Sequence, residues 1–363
     1  MLSASDYKEE QVLIRLIKRE EISKMNSIKV RFIAVILALV VAGIFLALMS
    51  FDPMKVFPGM LKGSFGSPYR VRQTIIRAIP LVITAIGISV AFKMQFWNIG
   101  GDGQIFMGAF GAALVALNLS ALPKPILLIL MAISAMLFGA LWGAVAGVIK
   151  VYFNTNETII TLMLNYIALK FITFLQYDFW RDKKAMNFPK IANFSENAIL
   201  PKVFNIHAGW IIALIVVIIF YIIMKKSKLG YEIAVLGESK NTARYAGINI
   251  NKTILAAVCI SGALCGLTGF IQASAVSQTL SVEVTGGVGY TAIIVAWLSN
   301  LNSIIILVVS VLFAGLVEGG SYIQTAFGIP NAAASVIQAL LLFFVLGSEL
   351  FIRYKVSIRR LKP

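Results

Sequence analysis

Residues 32–51 read FIAVILALVVAGIFLALMSF, twenty consecutive positions without a charged side chain. Wound as a helix, such a run spans a bilayer core of about 30 Å. It is not an isolated feature. The 363-residue chain is 59% hydrophobic, with a mean hydropathy of +0.87 and only 13% charged residues, whereas a soluble domain is about one-quarter charged. The solvent of this chain is lipid, and counting spans says more than dividing length by a domain size.

Working outward from that run, hydropathy predicts helices at about 30–50, 78–94, 103–118, 126–150, 157–175, 210–224, 253–273, 288–299, 303–320 and 332–350. The expected fold is an all-α polytopic membrane protein of about ten transmembrane helices. The 288–299 span is too short to cross alone, and the 157–175 span carries Glu157, Asn165 and Lys170. An even count puts both termini on one side. The basic N-terminal region, the basic tail at 351–363 and the 225–252 loop, with Lys225, Lys226, Lys228, Lys240, Arg244 and Lys252, all fall on that side, which marks it as cytoplasmic. Lys55, Lys62, Arg70, Arg72 and Arg77 in the loop read after the first span, and the basic 176–209 loop, run against the rule. Spans 78–94 and 253–273 are five helices apart and so run in opposite directions, an arrangement open to an inverted repeat.

The expected organisation is an amphipathic cytoplasmic segment at 1–29, a transmembrane domain at 30–350 containing the 225–252 loop, and a cytoplasmic tail at 351–363. In the first of these, YKEEQVLIRLIKREEISKM places Val12, Leu13, Leu16 and Ile17 at helical spacing among charges, which predicts an interfacial helix. No cleavable signal peptide is expected, because the first apolar run is longer than a signal core and has no small-x-small site.

Several classes are excluded or disfavoured. The net charge of +16 suits cytoplasmic loops facing anionic lipid better than nucleic acid. Cys259 and Cys265, six apart within one apolar run, point to different helix faces and make neither a disulfide nor a metal site. His207 is the sole histidine, so no His-based catalytic or metal centre is expected. The chain has no G-x-x-x-x-G-K-[ST] sequence, hence no P-loop for ATP.

FWNIGGDGQIF at 96–106 interrupts the apolar pattern. Its glycines do not match G-x-G-x-x-G, so a phosphate cradle is excluded. Irregular backbone in lipid leaves unpaired groups that cost several kcal/mol each, and persists only where protein or water covers it. Glycines permit such a break. Asn98, Asp102 and Gln104 either face a solute path, or form a cytoplasmic turn or cap two half-helices. A second polar set, Glu157, Thr161 and Asn165, falls at i, i+4 and i+8 on one face, and suits either a neutral solute with several hydrogen-bonding groups or helix–helix bonding. Glu318, with Tyr322, Gln324 and Glu283, is a further candidate in the C-terminal half. Gly139, Gly143 and Gly147, with Gly262, Gly266, Gly315 and Gly319, carry the four-residue spacing that lets helix backbones approach in lipid. In the cytoplasmic loop, SKNTARYAG predicts a short helix with Ser239 as N-cap and Gly247 as C-terminal stop. That helix either docks in a partner's groove or is a solvated loop.

NIGGDGQIFMGAFGA, NETIITLMLNYIAL, LGYEIAVLGESKNTARYAGI and SGALCGLTGF together resemble the permease subunits of ABC importers in the branched-chain amino acid and sugar permease superfamily. The likeness is nearest to the nucleoside and simple-sugar permeases that work with basic-membrane-protein-type binding lipoproteins, and runs from about Arg77 to Glu349. Asp102 stands where that pattern more often has Glu, which keeps the carboxylate one methylene shorter. The resemblance implies inward transport of a nucleoside or related sugar-containing solute, with a simple-sugar permease for ribose or galactose as the alternative. It also implies a separate ATPase subunit that holds ATP and Mg, a second permease subunit, an external binding lipoprotein and a location in a bacterial or archaeal plasma membrane. No cofactor is expected on this chain. Gly237, Ser239, Asn241, Ala243, Arg244, Ala246 and Gly247 become the expected ATPase-coupling residues, and Asn98, Asp102, Gln104, Glu157, Thr161, Asn165 and Glu318 the expected pathway. An ion-coupled secondary transporter using Asp102 and Glu157 is the alternative from another class; a membrane enzyme lacks a usable nucleophile or metal set.

Overall fold

The computed structural model describes residues 14–18, 24–183, 185–186 and 188–358. Thirteen α-helices follow in order among them: α1 (Lys24–Leu48), α2 (Pro53–Phe65), α3 (Pro68–Lys93), α4 (Gly101–Asn118), α5 (Lys124–Phe153), α6 (Glu157–Phe174), α7 (Gly209–Lys226), α8 (Lys228–Glu238), α9 (Lys240–Tyr245), α10 (Ile250–Ile271), α11 (Val288–Leu298), α12 (Ser303–Phe327) and α13 (Asn331–Arg353). Eight are long and apolar enough to cross a membrane. Helices α4 and α11 occupy the other two expected spans, and α11, with 11 residues, is roughly 16 Å long. The chain is a multi-pass, all-α membrane protein.

Two compact units form: Leu61–Gly319, and the flanking segments that precede and follow it. In the flanking unit, α1 lies along α13. It buries Ala34, Ala38, Ala42 and Leu46 at four-residue spacing, and Arg31 pairs with Glu349 at 3.2 Å. Ile14–Lys18 and Tyr354–Ile358 pair as antiparallel strands. This corrects the helix expected at the N-terminal segment, as far as residues 14–18 are concerned. IRLIK and YKVSI both carry β-formers in alternation, and a paired partner strand outweighs a weak helical pattern. Positions 1–13 and 19–23 of that segment lie outside the described residues.

The central unit is organised by α3 and α10, whose spans are 83% and 72% buried. Around them, α5 shows how one helix serves two solvents. Its Ile129, Ile133, Leu137 and Leu141 row is exposed, as lipid-facing residues are, while Met131, Ala135, Gly139 and Gly143 are buried. The buried glycines meet α10 backbone to backbone. A Cβ on Gly139 would overlap the Gly262 carbonyl oxygen, and one on Gly266 the Ala135 carbonyl oxygen. The four-residue glycine spacing is therefore packing scaffold.

Two readings of the sequence change. The region taken as a loop after the first span contains α2, and Arg70, Arg72 and Arg77 lie inside α3. Hydropathy missed this start because the arginines hide it. The other change concerns Glu318, expected at a helix end. It lies within α12 and takes Arg77 and Arg70 as ion-pair partners, so these two arginines are not loop charges. The break expected before the short span is present: α10 passes into a π-helical segment, Gln272–Ser277, and Gly286 and Gly287 adopt positive φ ahead of α11.

The order of elements repeats. Helices α3 to α6 and α10 to α13 each run as a long helix, a Gly-Gly-x-Gly stretch opening a short helix, and two further helices. Gly100-Gly101-Asp102-Gly103 opens α4 and Gly286-Gly287-Val288-Gly289 opens α11. In the expected ten-span order α4 and α11 are five spans apart, the separation that an inverted repeat would give.

Candidate functional site: a polar junction where two helix starts meet

The 94–100 loop joins α3 to α4 with Met94, Phe96, Asn98 and Gly100 buried and Gln95 and Trp97 exposed. Asn98 is fully buried, and its amide is used from several directions. It exchanges two hydrogen bonds with Gln104 at 3.2 Å each, donates to Ser261 Oγ at 2.9 Å and accepts from Gly100 N–H at 3.0 Å. The carboxamide thus replaces helical bonding over the turn into α4, where Gly100 as N-cap offers no side chain of its own.

The polar stripe on α6 faces this loop. Asn165 Oδ1 accepts from Gly103 N–H at 2.7 Å, while its Nδ2 donates to the Ile99 carbonyl at 2.9 Å and to Tyr290 Oη at 3.2 Å. Thr161 Oγ1 accepts from Ile99 N–H at 3.2 Å. Glu157 closes the lower end of the stripe with an ion pair to Lys150 at 2.8 Å across the α5–α6 turn. Of the three residues at i, i+4 and i+8, Thr161 and Asn165 bond the 99–103 backbone and Glu157 pairs with Lys150.

Asp102 Oδ1 accepts from Gly289 N–H at 2.8 Å, which ties the first turn of α4 to the first turn of α11. Both helix starts carry positive partial charge, and a carboxylate between them is favourably placed. The contact is close enough that a Cβ on Gly289 would overlap the Asp102 amide nitrogen. Further along, Trp97 of the loop stacks on Trp297 of α11, with centroids 5.3 Å apart and an 11° interplanar angle, and Phe92 tilts against both.

Of the seven expected pathway residues, Asn98, Asp102, Gln104, Thr161 and Asn165 converge on this junction and Glu157 sits at its edge. Glu318 does not join them. Its partner Arg77 lines a separate cavity of about 290 Å³ between α3, the π-helical segment, α11 and α12. Ser261 and Gly289 are junction residues that sequence reasoning passed over. The second Gly-Gly-x-Gly was a signal available for Gly289.

The opposite face of the loop meets α8. Gln95 Nε2 donates to the Gly237 carbonyl at 2.6 Å, and a Cβ on Gly237 would overlap the Lys93 carbonyl oxygen. Helix α9 follows, with Ser239 as N-cap accepting from Thr242 N–H at 3.2 Å. It stops at Gly247, whose φ is +71°. Asn241, Arg244, Ala246 and Gly247 are exposed, whereas Ala243 is buried and packs inward. Among the described residues no group of three or more His, Cys, Asp or Glu is placed to hold a metal ion.

Residues 71–346 match the family described as branched-chain amino acid transport system / permease component. The chain belongs to that family. Three relatives align along nearly its whole length. The glucose ABC transporter permease protein TsgB13 of Haloferax volcanii is 30% identical, over 90% of this chain and 89% of that protein. The guanosine ABC transporter permease protein NupP of Bacillus subtilis is 28% identical, over 90% and 95%. The nucleoside ABC transporter permease protein NupB of Lactococcus lactis is 29% identical, over 89% and 92%. The permease is accordingly a transport subunit of the ABC type.

Proposed function

We propose that this permease moves a nucleoside or a related sugar-containing solute inward, driven by ATP hydrolysis on a separate subunit and fed by an external binding lipoprotein. The observation that carries the reading is the α8–α9 pair, a short exposed helix whose neighbour is bonded to the loop that builds the polar junction. Membership of the permease family and the names of the three relatives support the transport class and the solute class.

In this reading α9 seats in the ATPase through Asn241, Arg244, Ala246 and Gly247, and ATP with Mg stays on that partner. Ser239 and Gly247 set the ends of the helix, Ala243 anchors it to the permease and Gly237 transmits its movement to Gln95. The side bearing α9 and the termini is the cytoplasm. A second permease subunit completes the assembly. Asn98, Asp102, Gln104, Thr161 and Asn165 brace the crossing of α4 and α11 rather than line the solute path, because their hydrogen bonds are occupied by backbone and by one another. Nucleotide drives the cycle only through its different affinity for two states of the complex.

The test is reconstitution with the ATPase and binding protein, measuring ATP hydrolysis stimulated by the solute-loaded binding protein. Arg244→Glu and Tyr245→Ala alter exposed positions of α9 and should abolish stimulation in a folded, assembled complex. Full stimulation in both variants would sink the coupling assignment. Proton- or sodium-driven uptake by the permease alone would sink the importer reading.

A further inference from the structure

The cavity beside Glu318 has features that scaffold packing does not require. Pro80 sits inside α3 and has no N–H, so the Ile76 carbonyl one turn earlier loses its α-helical donor; both residues line the cavity. Gln73 and Gln272 line it from opposite sides, and neither side-chain amide bonds to another described residue. Thr291 Oγ1 donates to the Gly287 carbonyl at 3.1 Å and keeps its lone pairs for another donor. Arg77, the charged lining residue, is ion-paired with Glu318. The remaining wall is aliphatic.

Gln73 and Gln272 are half-buried, so their amides remain accessible from the cavity. Two uncommitted amides, a freed carbonyl and a hydroxyl around one small space form a set of matched donors and acceptors. About 290 Å³ lies near the lower end of small-ligand pockets, roughly 300–1,000 Å³, and admits one ring-sized molecule. Arg77 shares the Glu318 carboxylate with Arg70, so the uncharged amides, carbonyl and hydroxyl are the groups left to bind, and they suit a ring carrying several hydroxyls.

We infer that this cavity is a binding site for the transported solute, and that it holds a neutral hydroxylated ring, either the ribose of a nucleoside or a hexose. Gln73 and Gln272 clamp the hydroxyls, the Ile76 carbonyl accepts from one of them, and the aliphatic wall covers the ring face. The inference rests on the transport reading above and adds where the solute sits.

The experiment uses the assembled complex with Cys259→Ser and Val276→Cys, placing a thiol on the cavity wall. Maleimide labelling is timed with millimolar adenosine, glucose or glycerol. One ring solute should slow labelling about fivefold or more while glycerol does not, and the effective solute reports whether nucleoside or hexose is held. Adding Gln73→Ala or Gln272→Leu should remove the protection and raise the uptake KM about tenfold with kcat little changed. Val317→Cys, at a half-buried wall position, serves as reporter should the first thiol variant fail to assemble. Labelling unaffected by adenosine and glucose, in a complex whose ATPase still answers the loaded binding protein, overturns the cavity assignment and leaves the transport reading standing. Loss of that ATPase response in the unmodified complex strikes the transport reading itself.

Discussion

Gly289→Ala tests the crossing of α4 and α11 most directly. The added methyl would lie 2.6 Å from Asp102 Oδ1 and 2.8 Å from the Gly101 carbonyl carbon, and would overlap the Asp102 amide nitrogen. Ordinary contact begins at 3.4 Å, so the two helix starts must separate by about 1 Å, and backbone cannot rotate aside as a side chain does. Overpacking of this kind costs about 1–3 kcal/mol. The separation also stretches the 2.8 Å bond from Gly289 N–H to the Asp102 carboxylate, which adds about 1.5–3 kcal/mol. A loss of about 2.5–6 kcal/mol follows, equivalent to roughly 3–8 °C in melting temperature at the usual unfolding entropy per residue. Thermal unfolding of the detergent-solubilised chain, followed by tryptophan fluorescence, reads it. Gly347→Ala is the control, since a Cβ there meets no atom, and it should be neutral or stabilising by up to about 1 kcal/mol. Asp102→Ala should not rescue Gly289→Ala, because the overlap is with backbone. Equal melting of Gly289→Ala and Gly347→Ala would refute the reasoning.

Asn165→Leu keeps the side-chain volume but strands the Gly103 N–H, the Ile99 carbonyl and Tyr290 Oη; denaturant titration should show a loss of about 2–4 kcal/mol. Thr173→Val, whose hydroxyl bonds only the Leu169 carbonyl of its own helix, should cost under about 1 kcal/mol in the same titration. Gly237→Ala should push α8 off the end of α3 and lower solute-stimulated ATP hydrolysis about tenfold, a coupling loss of about 1.4 kcal/mol, in a complex that still assembles on size exclusion. His207 lies in a short strand, Ile206–His207, paired with Lys202–Val203; both ring nitrogens are unpaired, and burial pushes its imidazole down from 6.5 to about 4. The folded form therefore favours the neutral ring. Its contribution is complete above pH 6.5 and is lost as pH falls through about 4. Melting temperature against pH should bend accordingly, and His207→Phe should flatten the bend.

The spans were legible because lipid demands long uncharged runs, and no tertiary detail alters that demand. The first turns of α3 were not. Arg70 and Arg77 look like loop charges until Glu318, 241 residues beyond Arg77, is seen to pair with both. Glu157, Thr161 and Asn165 announced one helical face by spacing alone. What Thr161 and Asn165 meet, a backbone segment some sixty residues earlier, is set by packing that no local pattern records. Gln73 and Gln272 were invisible for a related reason: a single amide near the end of an apolar helix resembles the ordinary polar fringe of a span. Its neighbour Pro80 was the stronger signal, since a proline inside a membrane helix leaves a carbonyl to be accounted for.

The loosely wound segment Gln272–Ser277 at the end of α10 has a consequence for cargo. A π turn stores one surplus residue in an otherwise regular helix. Deleting one residue there would rotate the segment's remaining positions by about 100° around the helix axis. Val276 would then leave the cavity wall, while the glycine seam that fastens α10 to α5 lies upstream and stays in place. The caliper that measures the solute can thus be reset by a single-residue insertion or deletion, with the membrane framework around it left unaltered.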